Sequence, residues 1–172
     1  MNDFQWEVIV INNSNFFMYA KKFDCGNEFI NKYLLDSKKY YENGESVTKI
    51  FLNSKSNKIM GFYSLSASTL LNNLTTKTSG FPAVEIKMFA VDKTYQDMII
   101  DGELLSDALL SEVIKEIYEL SEVTIGVKFI ILNSVPDAID FYLKNGFNKL
   151  KDFMSVLYYS FNNGCEPMYF EL

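Results

Sequence analysis

Histidine and arginine are both absent from these 172 residues, and lysine alone supplies the 16 basic side chains. Without His, the usual general base near neutral pH is missing. Acid–base chemistry must then fall to Tyr, Glu, Asp, Lys, Cys or water. Without Arg there is no planar, bidentate fork for phosphate, which must be held by backbone N–H groups and Lys point charges. The net charge is −6, which argues against a nucleic-acid partner, because such binding relies on Lys and Arg neutralising phosphates. No apolar run approaches the ~18 residues needed to span a bilayer. The N-terminal MNDFQWEVIV lacks the basic region, apolar stretch and small-residue cleavage site of a secretory signal. Cys25 and Cys165 are the only cysteines, and in the cytoplasmic protein these features imply they are expected to be free thiols packed as small apolar residues.

What is present is abundant apolar and aromatic material. Hydrophobic residues make up 48% of the chain, with 15 Phe and 11 Tyr, so one domain over residues 1–172 can bury a proper core. Trp6–Ile11 reads as a strand. Phe23–Gly44 opens on a capping turn at Asp24–Asn27, runs amphipathically through Phe29, Ile30, Tyr33 and Leu34, and stops at Asn43-Gly44. Val47–Leu52 and Ile59–Ser66 alternate as strands around the polar turn SKSNK, a hairpin pattern. Leu71–Gly80 is Thr- and Asn-rich and reads as a loop. Phe81–Val91 is the next strand, Leu104–Leu120 a helix, and Val127–Asn133 a further strand. Pro136 suits the first turn of a helix reaching Lys144, with Asn145-Gly146 as its stop. Phe153–Tyr159 and Met168–Leu172 read as closing strands. The order β–α–β–β–β–α–β–α–β–β defines an α/β fold with a mixed central sheet flanked by helices.

Two segments carry chemistry. MFAVDKTYQ (Met88–Gln96) is an apolar strand followed by a turn that opens a long amphipathic helix. DAIDFYLKNGF (Asp137–Phe147) is a short helix with an exposed-looking Tyr142 before a Gly-Phe stop. A helix N-terminus can hold a phosphate-bearing cofactor, and a nearby Tyr hydroxyl can move a proton. Taken alone, MFAV is as readily a buried strand, and Tyr142 beside Phe141 as readily a packing residue.

Together with FDCGNEFINKYL, KIMGFYSLSAS, FPAVEIKMFAVDKTYQ and PMYFEL, these segments resemble the GNAT superfamily of acyl-CoA-dependent N-acetyltransferases. The likeness is to a bacterial branch of toxin-type and stand-alone enzymes, and it covers nearly the whole chain. It implies acetyl-CoA as co-substrate, with its pantetheine arm bonded to backbone groups of Met88, Phe89 and Val91, one N–H polarising the thioester carbonyl. It places the pyrophosphate on the helix N-terminus after Tyr95-Gln96. The family pattern there is Gln or Arg, two residues, Gly, one residue, then Gly or Ala. Aligned without a gap, its glycine positions fall on Ile99 and Asp101. A roughly five-residue insertion after Gln96 moves the turn to Gly102–Ser106 and better matches the helix that follows, so that Gly102, Leu104 and Ser106 present N–H groups. Asp101 and Glu103 lie close to that phosphate site, with Lys93 the nearest cation. The family's general acid falls on Tyr142. Its neighbouring Asn position falls on Val135, preceded by Asn133 and Ser134, and Asn133 is the candidate contact.

Glu85, on the opposite strand face from Met88 by parity, could deprotonate an ammonium substrate through water, or could equally be a solvated or ion-paired strand residue. Cys25 lacks a His to activate it, and Asp24-Cys25-Gly26 has the form of a turn leading into a helix. No metal is implied. The expected reaction is transfer of an acetyl group to a primary amine of a small molecule or protein. The alternatives are a silent domain that binds or regulates, and a toxin-type enzyme acting on aminoacyl-tRNA. The aromatic C-terminal strands, with Tyr158-Tyr159, are compatible with pairing across a homodimer.

Overall fold

The computed structural model describes residues 5–11, 17–72, 79–152 and 164–172. Its strands are β1 (Trp6–Val10), β2 (Val47–Asn53), β3 (Ile59–Asn72), β4 (Ser79–Val91), β5 (Ile99–Ile100), β6 (Glu103–Leu104), β7 (Phe129–Ser134), β8 (Asn148–Lys149) and β9 (Glu166–Glu171). Its helices are α1 (Phe17–Ala20), α2 (Glu28–Glu42), α3 (Leu105–Val123) and α4 (Ile139–Lys144). Seven strands form one mixed sheet in the order β1-β2-β3-β4-β7-β9-β8, and β5 pairs with β6 in a separate hairpin. The described chain falls into two compact units, Met1–Ser66 with Lys87–Val113, and Ala67–Ile86 with Ile114–Leu172.

In the first unit, β1, β2 and β3 are antiparallel, with a register shift at Phe51/Leu52. The alternation of β2 places Ile50 and Leu52 in an apolar cluster with Leu34 of α2, Phe62 of β3 and Ala90 of β4. The helix α2 begins where Asn27 accepts the N–H groups of Phe29 and Ile30, so the capping turn read from the sequence is the one that forms. Gly61 has a packing reason. A Cβ added there would lie 2.8 Å from the Ala90 carbonyl and 3.3 Å from Leu109. Only a residue without a side chain lets β3 run so close to the end of β4.

In the second unit β4 runs parallel to β7 through Ala83–Ile86, paired with Phe129–Leu132. The segment Lys87–Val91 continues beyond that register. β7 pairs antiparallel with β9 over its whole length. Leu70, Ala83, Phe129 and Leu150 form the buried cluster, with Phe81 and Tyr169 packed edge-on against Phe129.

Differences from the sequence-based expectations are local. A one-turn helix, α1, precedes the Asp24–Asn27 turn. The strand expected to end at Ser66 extends to Asn72, and β4 starts at Ser79, so the expected loop at Leu71–Gly80 is shorter at both ends. The strand expected at Phe153–Tyr159 and the Tyr158-Tyr159 pair lie outside the described residues. No described helix is long and apolar enough to cross a membrane.

Gly61→Ala should therefore cost about 1–3 kcal/mol, the usual penalty for overpacking against an atom that cannot move aside. Thermal unfolding should show a midpoint several degrees lower. Gly126→Ala, where an added Cβ meets nothing within 4 Å, should leave the midpoint nearly unchanged.

Candidate active site

The first unit brings together most of the residues singled out from the sequence: Met88, Phe89 and Val91 at the end of β4, then Gln96, Gly102, Leu104 and Ser106 on the path into α3. Val91 is buried and Met88 half-buried against the apolar cluster. The inserted segment is a hairpin. Ile99 and Ile100 pair with Leu104 and Glu103, and the two tip residues, Asp101 and Gly102, have positive φ of 50° and 92°. Positive φ at both central positions is the tight-hairpin geometry that Asp-Gly favours. Gly102 therefore stands at the tip of a hairpin that precedes α3. Leu104 belongs to β6, and Leu105 donates its N–H to the Met98 carbonyl, closing the hairpin onto the first helical residue. Ser106 stands in the first turn of α3, a 19-residue helix. Leu105, Leu109, Val113 and Ile117 recur every fourth residue on it and are fully buried, which fixes the helix rotation.

A dense polar junction joins the turn after β4 to the turn before α2. The buried carboxylate of Asp92 accepts the N–H of Asp24 at 3.0 Å, and the N–H and hydroxyl of Thr94 at 2.9 and 2.7 Å. Lys93 donates its backbone N–H to the Asp24 carbonyl at 2.9 Å, and its ammonium pairs with the Asp24 carboxylate. Asp24 also accepts the N–H of Gly26 and the amide of Asn31. The Lys93 ammonium, first, and then those two donors push its carboxyl down from 3.8 to about 2. Asp24 in turn holds the Lys93 ammonium above its ordinary range. Gln96 completes the junction. Its side-chain NH₂ donates to the carbonyls of Val91 (2.9 Å) and Cys25 (3.1 Å). Both its side-chain hydrogens are thus engaged within the protein, which leaves Oε1 and the backbone N–H and C=O as its remaining polar groups. Sequence reasoning saw Asp24 only as part of a turn and missed this junction. The signal was there in two Asx-type segments, Asp24-Cys25-Gly26 and Asp92-Lys93-Thr94.

Cys25 donates its thiol to Asn31 Oδ1 at 3.1 Å, and burial pushes that thiol up, opposite to what a nucleophile needs. Cys25 and Cys165 are both free thiols.

Tyr142, Asn133 and Glu85 belong to the second unit. Tyr142 is not exposed, as its sequence setting suggested, but 7% accessible. The cause is the helix stop. Phe147 donates its N–H to the Tyr142 carbonyl and Gly146 donates to Leu143, with Gly146 at φ +87°. This is a Schellman motif, and its apolar contact is the Tyr142 ring edge-on to Phe147, centroids 5.5 Å apart. Phe141 packs edge-on from the other side. Burial pushes the Tyr142 phenol far above its usual range, so at neutral pH it is a hydrogen donor and not a base. Asn133 is exposed on β7 opposite Pro167, while neighbouring Ser134 is buried. Glu85 is half-buried on β4 opposite Ile131. Among the described residues no group of three His, Cys, Asp or Glu side chains is placed to hold a metal ion.

No protein-family model matches the chain. No curated protein matches it either. Solved structures do. A bacterial toxin is 24% identical over 97% of this chain and 92% of its own, with a TM-score of 0.73. A Tyr-to-Phe variant of the toxin AtaT, bound to the C-terminus of the antitoxin AtaR and acetyl-CoA, is 16% identical over 96% and 92%, TM-score 0.73. AtaT complexed with acetyl-methionyl-tRNAfMet is 16% identical over 97% and 95%, TM-score 0.73. The chain thus has the GNAT-type fold expected from its sequence, shared along nearly its full length with toxin-type members.

The Asp24 junction makes a pH prediction. A carboxyl held below its unfolded value contributes stability that is present above pH 3.8 and lost as pH falls through about 2. Unfolding midpoints of the wild-type protein should therefore drop between pH 4 and pH 2 more steeply than those of Asp24→Asn. The two proteins should show parallel slopes between pH 5 and pH 7. With side chains 42% and 61% exposed, the ion pair is partly screened, so salt should shrink the difference.

Proposed function

We propose that the protein is an acetyl-CoA-dependent N-acetyltransferase that moves an acetyl group to a primary amine by direct attack. The observation that carries this is the strand–turn–helix at Met88–Ser106 within a GNAT-type fold, one of whose neighbours is bound to acetyl-CoA. The donor set suits the co-substrate in a restricted way. Backbone N–H groups at the start of a long helix favour an anion, and Ser106 stands there. No Arg adds a fork, and Lys93 is shared with Asp24. The acidic residues of the hairpin, Asp101 and Glu103, work against a phosphate by about 1 kcal/mol each in water-like surroundings at contact distance. Moderate affinity is the expected consequence.

In the reaction the neutral amine nitrogen forms a bond to the thioester carbonyl carbon, and the oxyanion is stabilised by a backbone N–H of the Met88–Val91 stretch. The C–S bond then breaks, and the amine proton is lost to solvent or, through water, to Glu85. To Tyr142 the family resemblance gives the part of general acid toward the departing thiolate. A phenol with a raised pKa gives up its proton reluctantly, so its main contribution is a hydrogen bond that strengthens as charge develops on sulfur.

The neighbour carrying acetyl-methionyl-tRNA favours a second reading, in which the amine belongs to an aminoacyl-tRNA. A net charge of −6 opposes it. Binding to tRNA at physiological salt should be weak and non-specific. Sub-micromolar affinity with a steep salt slope would instead establish the tRNA-linked amine as the acceptor.

Acetyl-CoA should raise the unfolding midpoint by mass action. No shift at millimolar concentration would reduce the protein to a silent binding domain. Once an acceptor is in hand, Tyr142→Phe should retain the fold and the acetyl-CoA affinity, because the Schellman contact needs only the ring. Turnover should fall by roughly 10²-fold, in kcat rather than in KM. Unchanged turnover would make Tyr142 a packing residue only.

A further inference from the structure

A cavity of about 370 Å³ opens within the first unit, and none of the residues assigned above to catalysis or to acetyl-CoA lines it. Its walls come from the end of α1, the β2–β3 turn and the β4–α3 turn. The volume falls near the lower end of the roughly 300–1,000 Å³ range of ligand pockets, enough for a metabolite-sized molecule.

The chemistry of the lining is uneven. Phe23, Ile59 and Tyr95 are buried and give an apolar floor, whereas Lys22, Lys58 and Lys93 are exposed at its edge. Two carboxylates, Asp24 and Asp92, also line it, but both oxygens of each accept hydrogen bonds from the protein's own donors. Lys93 is the partner of Asp24. Neither Lys22 nor Lys58 has a carboxylate partner among the described residues. Three lysines against two aspartates leave the cavity positive on a chain whose net charge is −6. Lysines gathered at one concavity repel one another, and an anion lodged between them relieves that repulsion. Lys22 and Lys58, 36 positions apart in the chain, line one opening.

We propose that this cavity binds a small anion with an apolar body, an aromatic or short aliphatic carboxylate or phosphate ester. Lys22 and Lys58 hold the anionic group, and the body rests on Phe23, Ile59 and Tyr95. Lysines act as point charges and discriminate by charge more than by planar shape. A dianionic phosphate ester is accordingly bound more tightly than a carboxylate of the same body. The site is independent of acetyl transfer, so it stands or falls separately from the enzymatic function proposed above.

Isothermal titration calorimetry on the full chain tests this with phenyl phosphate, benzoate, phenol and inorganic phosphate. Phenyl phosphate should bind with a Kd in the range of roughly 10 µM to 1 mM, weakening as salt is raised. Phenol and inorganic phosphate should each bind at least about tenfold more weakly, because each lacks one half of the recognition. Benzoate binding more tightly than phenyl phosphate would overturn recognition by lysine charge. Lys22→Ala and Lys58→Ala, at exposed positions where folding is not at stake, should each weaken phenyl phosphate several-fold, and together at least about tenfold. Saturating acetyl-CoA should leave that affinity unchanged. The proposal is overturned by phenol or inorganic phosphate binding as well as phenyl phosphate, or by no binding of either anionic aryl probe up to about 10 mM. Full affinity in the double variant would overturn it too. So would displacement by acetyl-CoA, which would assign the cavity to the co-substrate.

Discussion

The Asp92 carboxylate is the constraint on which the first unit depends. It is buried, and a buried carboxylate is costly unless several donors reach it. Three do, from Asp24 and from both polar groups of Thr94. That requirement bends the chain immediately after β4 and holds it against the turn leading into α2. Lys93 and Gln96, on the same short segment, then tie down the Asp24–Cys25 backbone. The result is a fixed launch point for α3, so the N–H groups of its first turn are positioned by a polar junction and not by a glycine-rich loop.

That arrangement suits a chain without Arg or His. Where the guanidinium fork is missing, a phosphate can be held by backbone donors, whose placement depends on the turn before them. Where imidazole is missing, the proton transfer proposed above needs another group, and burial can set the surroundings of a phenol. Tyr142 shows how. Its helix ends in a Schellman motif that needs an apolar residue three positions before the cap and another after the glycine. Tyr142 and Phe147 fill those places, which fixes the ring and desolvates the phenol. Packing is compatible with the chemistry proposed for this residue, since burial only moves the phenol further from ionising.

Most of the fold was legible in the sequence because its signals are local. Asn27 as a cap, SKSNK as a hairpin turn and Gly146 as a helix stop each state their own geometry, and the alternation in Val47–Leu52 defines a half-buried strand. What could not be read was non-local. The Asp101-Gly102 hairpin is the exception, since Asp-Gly is itself a local hairpin signal, hidden when the segment is fitted to a phosphate-binding turn. Nothing near Gln96 says that its NH₂ reaches Cys25, 71 positions earlier. The exposure of Tyr142 was misjudged for the same reason. Its neighbours in sequence are half polar, whereas its neighbours in space are Phe141 and Phe147.

In the enzyme proposed above, the end of β4 and the first turn of α3 together receive acetyl-CoA through backbone groups. Amide chemical shifts followed by two-dimensional NMR during an acetyl-CoA titration address it directly. The largest, saturable shifts are expected at Met88–Val91 and around Ser106, with Gly102 at the hairpin tip changing less. Saturable shifts confined to other parts of the chain, or none at all at millimolar acetyl-CoA, would contradict it.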